Sequence, residues 1–215
     1  MSQFRATVSI VGIVVLSIFY HICATSPPPF EESDPVTCGS PGEEISCTIR
    51  APHSCELGKA PRVSVELTNR TNHDILLVDR LDGSEELMRY PYCYFEIFDA
   101  DGRSTILPAN RCSFLNALER GDFVRLPPGG QFDPFRRFTH PTYFGSHLSA
   151  KSFPIPGVYR IRFHYSTADR NVGSWLGDWP LGAGARINEM ADLLRRVPNV
   201  NFTTEISVRV VPRLN

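Results

Sequence analysis

The chain has 215 residues, of which 42% are hydrophobic and 21% charged, and its 22 basic side chains are balanced by 23 acidic ones. This is ordinary globular composition, with enough length for one domain and a sizeable core. The near-zero net charge argues against a nucleic-acid partner, which needs a basic surface. Eighteen prolines and 15 glycines exclude a helix bundle or a coiled coil, because both residues interrupt helices.

The N-terminal segment, residues 1–26, has the order of a secretory signal. Arg5 precedes an apolar run over residues 8–22, and small residues follow at 23–26. A basic start, an apolar middle and a small cleavage region direct export. The alternative is an uncleaved anchor, since residues 6–24, interrupted only by His21, are just long enough to span a bilayer. Both forms predict a secreted, periplasmic or cell-envelope protein, which touches a membrane only if residues 8–24 stay uncleaved.

Residues 27–42 are rich in proline, serine, glycine and acidic side chains. Three consecutive prolines at 27–29 end the apolar segment, because proline cannot continue a helix. The remaining composition is typical of a flexible tether. We therefore predict a linker over residues 27–42 and one folded domain over residues 43–215.

Five cysteines follow the signal segment, and an odd number leaves at least one thiol without an intramolecular disulfide. We predict a disulfide between Cys93 and Cys112, because a turn at residues 99–102 folds Cys93 back towards the segment that leads to Cys112. Closing a loop of about twenty residues would add about 3 kcal/mol of stability. The alternative for Cys47 and Cys93 is that both are small core residues. The five are Cys38, Cys47, Cys55, Cys93 and Cys112.

From residue 43 onwards the dominant pattern is the alternation of apolar and polar residues. Side chains of a strand point to opposite faces in turn, so each alternating run predicts a strand with one buried and one exposed face. Residues 75–78 are apolar throughout and suit a more central strand. The alternating runs cover residues 45–49, 62–68, 93–97, 159–165 and 205–210.

Turn signals separate the predicted strands. Asp-Ala-Asp-Gly at residues 99–102 predicts a hairpin turn, and Pro-Pro-Gly-Gly at residues 127–130 predicts another turn. The strands are not separated by alternating helices, which argues against a parallel sheet. About seven or eight strands of this kind predict an all-β fold, an antiparallel β-sandwich.

Residues 156–161, Pro-Gly-Val-Tyr-Arg-Ile, open the strongest predicted strand and resemble the tyrosine corner of immunoglobulin-like domains. In that motif a tyrosine, here Tyr159, bonds back to the backbone a few residues upstream. Ile161 stands where antibody domains carry a cysteine, so the usual inter-sheet disulfide is missing. The alternative is a plain strand start after a Pro-Gly turn.

Further segments carry the same resemblance at residues 63–78, 95–103 and 126–132. Together they resemble the Ig-like β-sandwich domain of uncharacterised exported bacterial proteins. More distantly, they are similar to the bacterial intracellular proteinase inhibitor family. The resemblance covers roughly half of the chain and specifies fold far better than activity. No reactive loop matches the inhibitor family, so no inhibitory residue is carried over.

Residues 168–202 are a long insertion before the last predicted strand. They contain both tryptophans of the chain and a helix predicted over residues 186–197, which Pro198 ends. Because aromatic side chains dominate binding hot spots, we expect Trp175 and Trp179 to contribute to a partner surface. The alternative is that both close one end of the sandwich. The apolar residues of the helix are Ile187, Met190, Ala191, Leu194 and Val197.

Patterns for catalysis and metal binding are weak. The adjacent residues Ser146 and His147 rarely reach the geometry of a catalytic triad. His140 and His147 lack a known zinc-ligand spacing, and the acidic residues within 79–86 lack the spacing of a calcium loop. Arginines that could recognise carboxylates or phosphates, or simply pair with surface acids, are Arg136, Arg137, Arg160 and Arg162.

The sequence predicts an exported, non-enzymatic Ig-like module of the cell envelope that binds a protein or a glycan, with no cofactor and no metal. A first alternative is an extracellular peptidase inhibitor, which a panel of proteases would reveal. A second alternative is a small metal-dependent hydrolase, which metal analysis with ester and peptide assays would reveal.

Overall fold

The computed structural model describes residues 32–39, 43–81, 83–84, 87–105, 118–136, 148–176 and 183–213. The predicted signal or anchor, residues 1–26, lies outside these residues, as do Cys112 and Trp179. Ten strands and two α-helices lie within them, and only one of the two helices is longer than four residues. The prediction of an all-β fold is confirmed.

The elements are numbered in chain order. The strands are β1 (Val36–Cys38), β2 (Ile45–Arg50), β3 (Ser54–Glu56), β4 (Ser64–Asn69), β5 (Ile75–Val78), β6 (Tyr92–Phe98), β7 (Phe123–Leu126), β8 (Gln131–Phe132), β9 (Gly157–Ser166) and β10 (Asn201–Val211). The helices α1 (Gly173–Leu176) and α2 (Ala183–Leu194) both lie between β9 and β10. Every run of alternating residues identified in the sequence coincides with one of these strands.

The strands form two four-stranded sheets and a separate two-stranded sheet. The first sheet has the order β1-β2-β4-β8, the second has the order β3-β10-β9-β6, and β5 pairs with β7. All pairs are antiparallel except β3 and β10, which run parallel. The prediction of a purely antiparallel sandwich is therefore wrong at β3. This strand follows β2 after only residues 51–53, and it joins the other sheet beside the last strand instead of folding back on β2.

Two short strands, β1 and β3, were not expected from the sequence, because three residues cannot establish an alternation. β1 pairs antiparallel with β2, from Val36 opposite Ile49 to Cys38 opposite Cys47. This strand lies within residues 27–42, the segment predicted as a flexible linker. The first sheet therefore begins inside that segment, before residue 43.

The two four-stranded sheets enclose one hydrophobic core. Buried residues alternate with more exposed ones along β2, β4, β6 and β9, as the sequence pattern predicts. Burying a large apolar side chain contributes about 1.5–3 kcal/mol, so these rows dominate the stability of the domain. The fully buried members include Ile45, Ile49, Leu67, Ile97, Ile161 and Phe163.

A second, smaller core lies on the other side of the two-stranded sheet. All four residues of β5 are buried, because Ile75 and Leu77 join the main core while Leu76 and Val78 join the smaller one. Helix α2 covers this outer side. Its inward residues, together with the turn that follows it, are Met190, Leu194 and Val197.

The helix differs from its prediction in extent and in one residue. It begins at Ala183, three residues before the predicted start, and ends at Leu194. Ile187, expected on the apolar face, is 40% exposed. The turn after Leu194 carries Val197 into the small core without continuing the helix, and Val197 donates its N–H to Leu194 O at 3.2 Å.

Tyr159 makes the backward contact expected of a tyrosine corner at the start of β9. Its hydroxyl donates to the carbonyl oxygen of Ile155 at 2.8 Å, and the backbone N–H of Ile155 donates to the hydroxyl at 3.3 Å. The ring is buried and packs edge-on against Phe153. The hydrogen bonds tie the loop before β9 to the core and satisfy a hydroxyl that would otherwise be costly to bury.

Candidate functional site

The outward face of β6, β9 and β10 carries polar and aromatic side chains in cross-strand rows. The register places one residue from each strand in every row, and directly opposed side chains of neighbouring strands contact each other. We call this surface the ladder face. Its three central rows are Tyr94, His164 and Thr203; Glu96, Arg162 and Glu205; and Phe98, Arg160 and Ser207.

His164 lies at the centre of the first row. Its ring stacks on that of Tyr94, with centroids 4.5 Å apart and planes 9° from parallel. Nε2 lies 2.5 Å from Oε2 of Glu96, and Nδ1 lies 3.0 Å from Oγ1 of Thr203. Because a carboxylate only accepts, Nε2 is the donor in the hydrogen bond to Glu96. Both nitrogens of His164 are thereby satisfied.

Arg162 links the two acids of the second row. Its Nε and Nη2 donate to Oε2 of Glu205 at 3.1 and 3.0 Å, and its Nη1 lies 3.5 Å from Glu96. Arg160 lies 3.5 Å from the other oxygen of Glu205. These side chains are about one-third exposed, so solvent screens their attraction. The network fixes the orientation of the side chains more than it stabilises the fold.

Phe98 lies next to both arginines. The guanidinium carbons of Arg162 and Arg160 lie 4.8 and 5.5 Å from the centre of its ring, within the range of cation–π attraction. The ladder face therefore presents aromatic surface and arginine side chains that are held in place by their neighbours.

Thr203, His164 and Glu96, which come from the first two rows, also have the order hydroxyl, imidazole, carboxylate, which hydrolases use as a catalytic triad. A triad needs backbone or side-chain donors to hold the oxyanion. Along β9 the backbone groups of this region are engaged in pairing with β6 and β10 on its two sides. Burial and the charge of Glu96 raise the pKa of the Tyr94 hydroxyl, so at neutral pH that phenol stays protonated. Tyr94 therefore contributes a neutral aromatic ring to the ladder face.

Trp175 is not a surface residue. It is fully buried and packs in the small core with Val78, Met190 and Leu194. Its indole Nε1–H donates to the carbonyl oxygen of Asp169 at 2.8 Å. The expectation that Trp175 contributes to a partner surface is thus wrong, because its ring closes the small core under α2. Trp179 lies outside the described residues, and its role stays a prediction.

Cys93 is fully buried in the main core, as expected if it is a small core residue, the alternative to its disulfide. Because Cys112 lies outside the described residues, the disulfide between Cys93 and Cys112 stays a prediction. Cys47 is also fully buried in the main core, on the facing sheet.

Arg136 forms an ion pair with a buried acidic side chain. Its Nη2 lies 2.5 Å from Oδ2 of Asp79, a carboxylate that is only 2% exposed, and its guanidinium carbon lies 4.9 Å from the ring centre of Phe132. This arginine therefore neutralises a buried charge. The neighbouring Arg137 and the residues Ser146, His140 and His147 lie outside the described residues.

Two cavities lie away from the ladder face. One, of about 480 Å³, is beside β3 and is lined by Glu56, Lys59 and Arg62 among others. The other, of about 400 Å³, lies at the end of α2. Two of its cations already have partners, since Arg170 donates to Leu194 O and Val197 O at 3.1 and 2.9 Å and Arg195 pairs with Asp192.

The described part of the chain contains no group of three or more histidine, cysteine or acidic side chains arranged to hold a metal ion. Among the helices in the described ranges, none has the length and apolar character that crossing a bilayer requires. No model of a protein family matches the chain, and no curated protein matches its sequence.

Sequence reasoning named Arg160 and Arg162 but did not unite them with residues of the neighbouring strands. The signal was present in the alternation itself, because the polar positions of the three strands include Tyr94, Glu96 and Glu205. What the sequence lacked was the register, which decides the partner of each outward residue. Phe98 was the least visible, since its position looks like one more apolar residue of β6.

Proposed function

We propose that this chain is an exported, non-enzymatic binding module of the cell envelope, and that its ladder face contacts a protein partner. The observation that carries the proposal is the set of interlocked rows around Arg162, in which arginine, tyrosine, phenylalanine and histidine side chains are held by their neighbours. Arginine and aromatic residues are enriched at the energetic centres of protein interfaces. Side chains fixed before binding lose little conformational entropy on association.

The charge pattern favours a protein over a polyanion. The second row places Arg162 between two acids, and Arg160 shares one of them. A surface with interspersed charges of both signs complements a mixed polar surface and gives no net attraction for a uniformly charged polymer. Tyr94 and Phe98 already stack on His164 and on the two arginines, which favours a protein over a sugar that needs an open ring face.

Export and the Ig-like resemblance rest on separate support. The order of charge, apolar run and small residues within 1–26 supports export. The hydrogen bond from Tyr159 to Ile155 and the single core between two four-stranded sheets support an Ig-like domain. Such domains commonly present sheet faces and loops to partners, and fold alone does not name the partner.

The test is capture from a cell-envelope extract with the exported form of the chain as bait, in four versions. The wild type and Arg125→Ala, which removes an exposed arginine of β7 that pairs with Asp74, are expected to retain the same protein. Tyr94→Ala and Arg162→Ala are expected to lose it, with dissociation constants raised about tenfold or more for a hot-spot residue. Circular dichroism of each variant checks that the fold is unchanged.

Three outcomes contradict the proposal. Equal capture by all four baits places the interface elsewhere. Binding to a glycan array that Tyr94→Ala abolishes replaces the protein partner with a sugar. Ester or peptide hydrolysis that disappears in Thr203→Ala and His164→Ala makes Thr203, His164 and Glu96 a catalytic triad.

A further inference from the structure

Cys38 and Cys47 lie opposite each other on β1 and β2. They are register partners in an antiparallel pair, which places their Cα atoms about 4.5–5.5 Å apart. Disulfides require Cα separations of about 4.4–6.8 Å. The backbone of this pair therefore already meets the main geometric requirement for a disulfide.

The two side chains lie on the same face of the first sheet, as directly opposed residues of an antiparallel pair do. Cys47 is fully buried among the inward residues of β2. Cys38 is half-buried and packs against the same core. A reagent from solvent can thus reach Cys38 first, with Cys47 directly behind it.

Both cysteines are thiols in this structure, and they already interact. A hydrogen bond with Cys47 lowers the pKa of the Cys38 thiol to about 7, against the opposing effect of burial. The same hydrogen bond, with burial, raises the pKa of Cys47. Since the thiolate is the nucleophile in thiol–disulfide exchange, Cys38 is the attacking group of the pair.

We propose that Cys38 and Cys47 are an oxidation site that forms a cross-strand disulfide when the chain meets a low-molecular-weight or protein disulfide outside the cytosol. The pair is compatible with a second disulfide between Cys93 and Cys112. Cys55 is then the remaining thiol of the five beyond residue 26. Burial raises the pKa of Cys55, which suits an unreactive thiol.

The reaction balances as two exchanges. The Cys38 thiolate attacks one sulfur of a disulfide RSSR, the S–S bond breaks, and the leaving thiolate takes a proton from solvent. Cys47 then loses its proton and attacks the Cys38 sulfur of the mixed disulfide, and a second RSH leaves. The two cysteines lose two electrons and two protons, and RSSR is reduced to two RSH.

The consequence is a covalent connection for the first strand of the domain. β1 has three residues and lies at the edge of its sheet, so few hydrogen bonds hold it. A disulfide closing a loop of about ten residues restricts the unfolded chain. We expect the oxidised protein to melt about 5–10 °C higher than the reduced protein.

The pairing is tested by equilibrating the reduced full-length chain with oxidised glutathione, blocking remaining thiols with N-ethylmaleimide, and mapping peptides without reduction. Cleavage by trypsin together with Glu-C, after Glu43, Glu44 and Arg50, puts Cys38, Cys47 and Cys55 on different peptides. The expected product links the Cys38 and Cys47 peptides and has lost two hydrogen atoms. Cys55→Ala is the matched control and retains the link, whereas Cys38→Ala loses both the link and the rise in melting temperature.

The wild-type map alone decides the proposal if a variant fails to fold. Alkylation of both Cys38 and Cys47 after equilibration overturns it. A link from Cys47 to Cys93, or a glutathione adduct that remains on Cys38, overturns it as well.

The pH dependence of alkylation gives an independent readout on the reduced protein. The rate follows the thiolate fraction, so the reaction of Cys38 with iodoacetamide should rise with pH through a midpoint near 7. Removing the hydrogen bond in Cys47→Ala should move that midpoint up towards the ordinary value of about 8.5. A Cys38 midpoint that is the same in both proteins overturns the role of the Cys47 hydrogen bond in activating Cys38.

Discussion

Two outward sheet faces of this protein differ in whether another element covers them. On β5 the outward residues, Leu76 and Val78, are buried beneath α2 and Trp175. On β9 the outward residues include Arg160 and Arg162, which remain about one-third exposed or more. The difference shows that the outward positions of each strand match what lies over them: an apolar row requires a covering helix, and a charged and aromatic row is left for solvent or a partner.

The comparison also changes the interpretation of the insertion between β9 and β10. A long segment with aromatic residues was expected to present a contact surface. Its described part is instead a cover, in which Trp175 and α2 remove the outer side of β5 from water. The candidate contact surface belongs to the regular strands β6, β9 and β10, of which β9 and β10 flank the insertion.

The largest expected effect of a substitution is on the covered face. Trp175→Ala removes a fully buried indole and should cost about 3–5 kcal/mol of unfolding free energy, lowering the melting temperature by roughly 10 °C. Ile187→Ala, on the exposed side of α2, is the control and should cost under about 0.5 kcal/mol. Unchanged thermal unfolding of Trp175→Ala, measured by calorimetry, would contradict the claim that Trp175 and α2 cover the outer side of β5.

A smaller loss of stability is expected at the C-terminal end of α2, where Arg170 holds the helix by hydrogen bonds. Arg170→Ala removes two hydrogen bonds to the carbonyl oxygens of Leu194 and Val197 and should cost about 1–2 kcal/mol in urea unfolding. Arg195→Ala is the matched control, since its exposed pair with Asp192 lies on the same turn and contributes little. Equal losses in the two variants would show that the hydrogen bonds of Arg170 do not fasten α2.

The smallest effect on stability is expected on the open face. Arg162→Ala breaks partly exposed ion pairs with Glu96 and Glu205, and pairs of this kind contribute under about 1 kcal/mol. The same change should weaken partner binding about tenfold or more. A destabilisation as large as that of Trp175→Ala, in the same unfolding assay, would make the ladder face a structural element and remove the contrast between the two faces.

Much of the fold follows from the sequence because a half-buried strand has alternating apolar and polar residues. β2, β6 and β9 each bury one side, and every second residue of these strands is buried accordingly. Strands of three residues, such as β1, are too short to establish such an alternation. The parallel pairing of β3 with β10 depends on which sheet the chain enters next, and local patterns do not carry that information.

The apolar run over β5 was interpreted as a central strand, and the structure gives a different reason for it. The strand belongs to a two-stranded sheet, yet all four residues are buried. A continuous apolar run reports that both faces are covered, whereas a central position depends on the neighbouring strands at its two edges. The covering element, α2, lies more than one hundred residues later in the chain.

The candidate site was predictable in its residue types but not in its location. An aromatic side chain such as Trp175 is equally suited to closing a core and to contacting a partner, and composition does not separate the two. The rows of the ladder face depend on register, which joins residues of β6, β9 and β10 that are far apart in the chain. The interaction of Cys38 with Cys47 likewise required β1, which the alternation did not reveal.

The position of β6 at the edge of its sheet has a consequence for self-association. A seven-residue edge strand is a template on which a second copy could add a strand and begin to aggregate. Here, nearby coil occupies that edge: the N–H of Thr105 donates to Ile97 O at 2.9 Å, and the N–H of Cys93 donates to Ser84 O at 3.3 Å. An incoming strand would have to displace both contacts. The molecule can therefore keep a sheet face open to side chains while its edge resists polymerisation through the backbone.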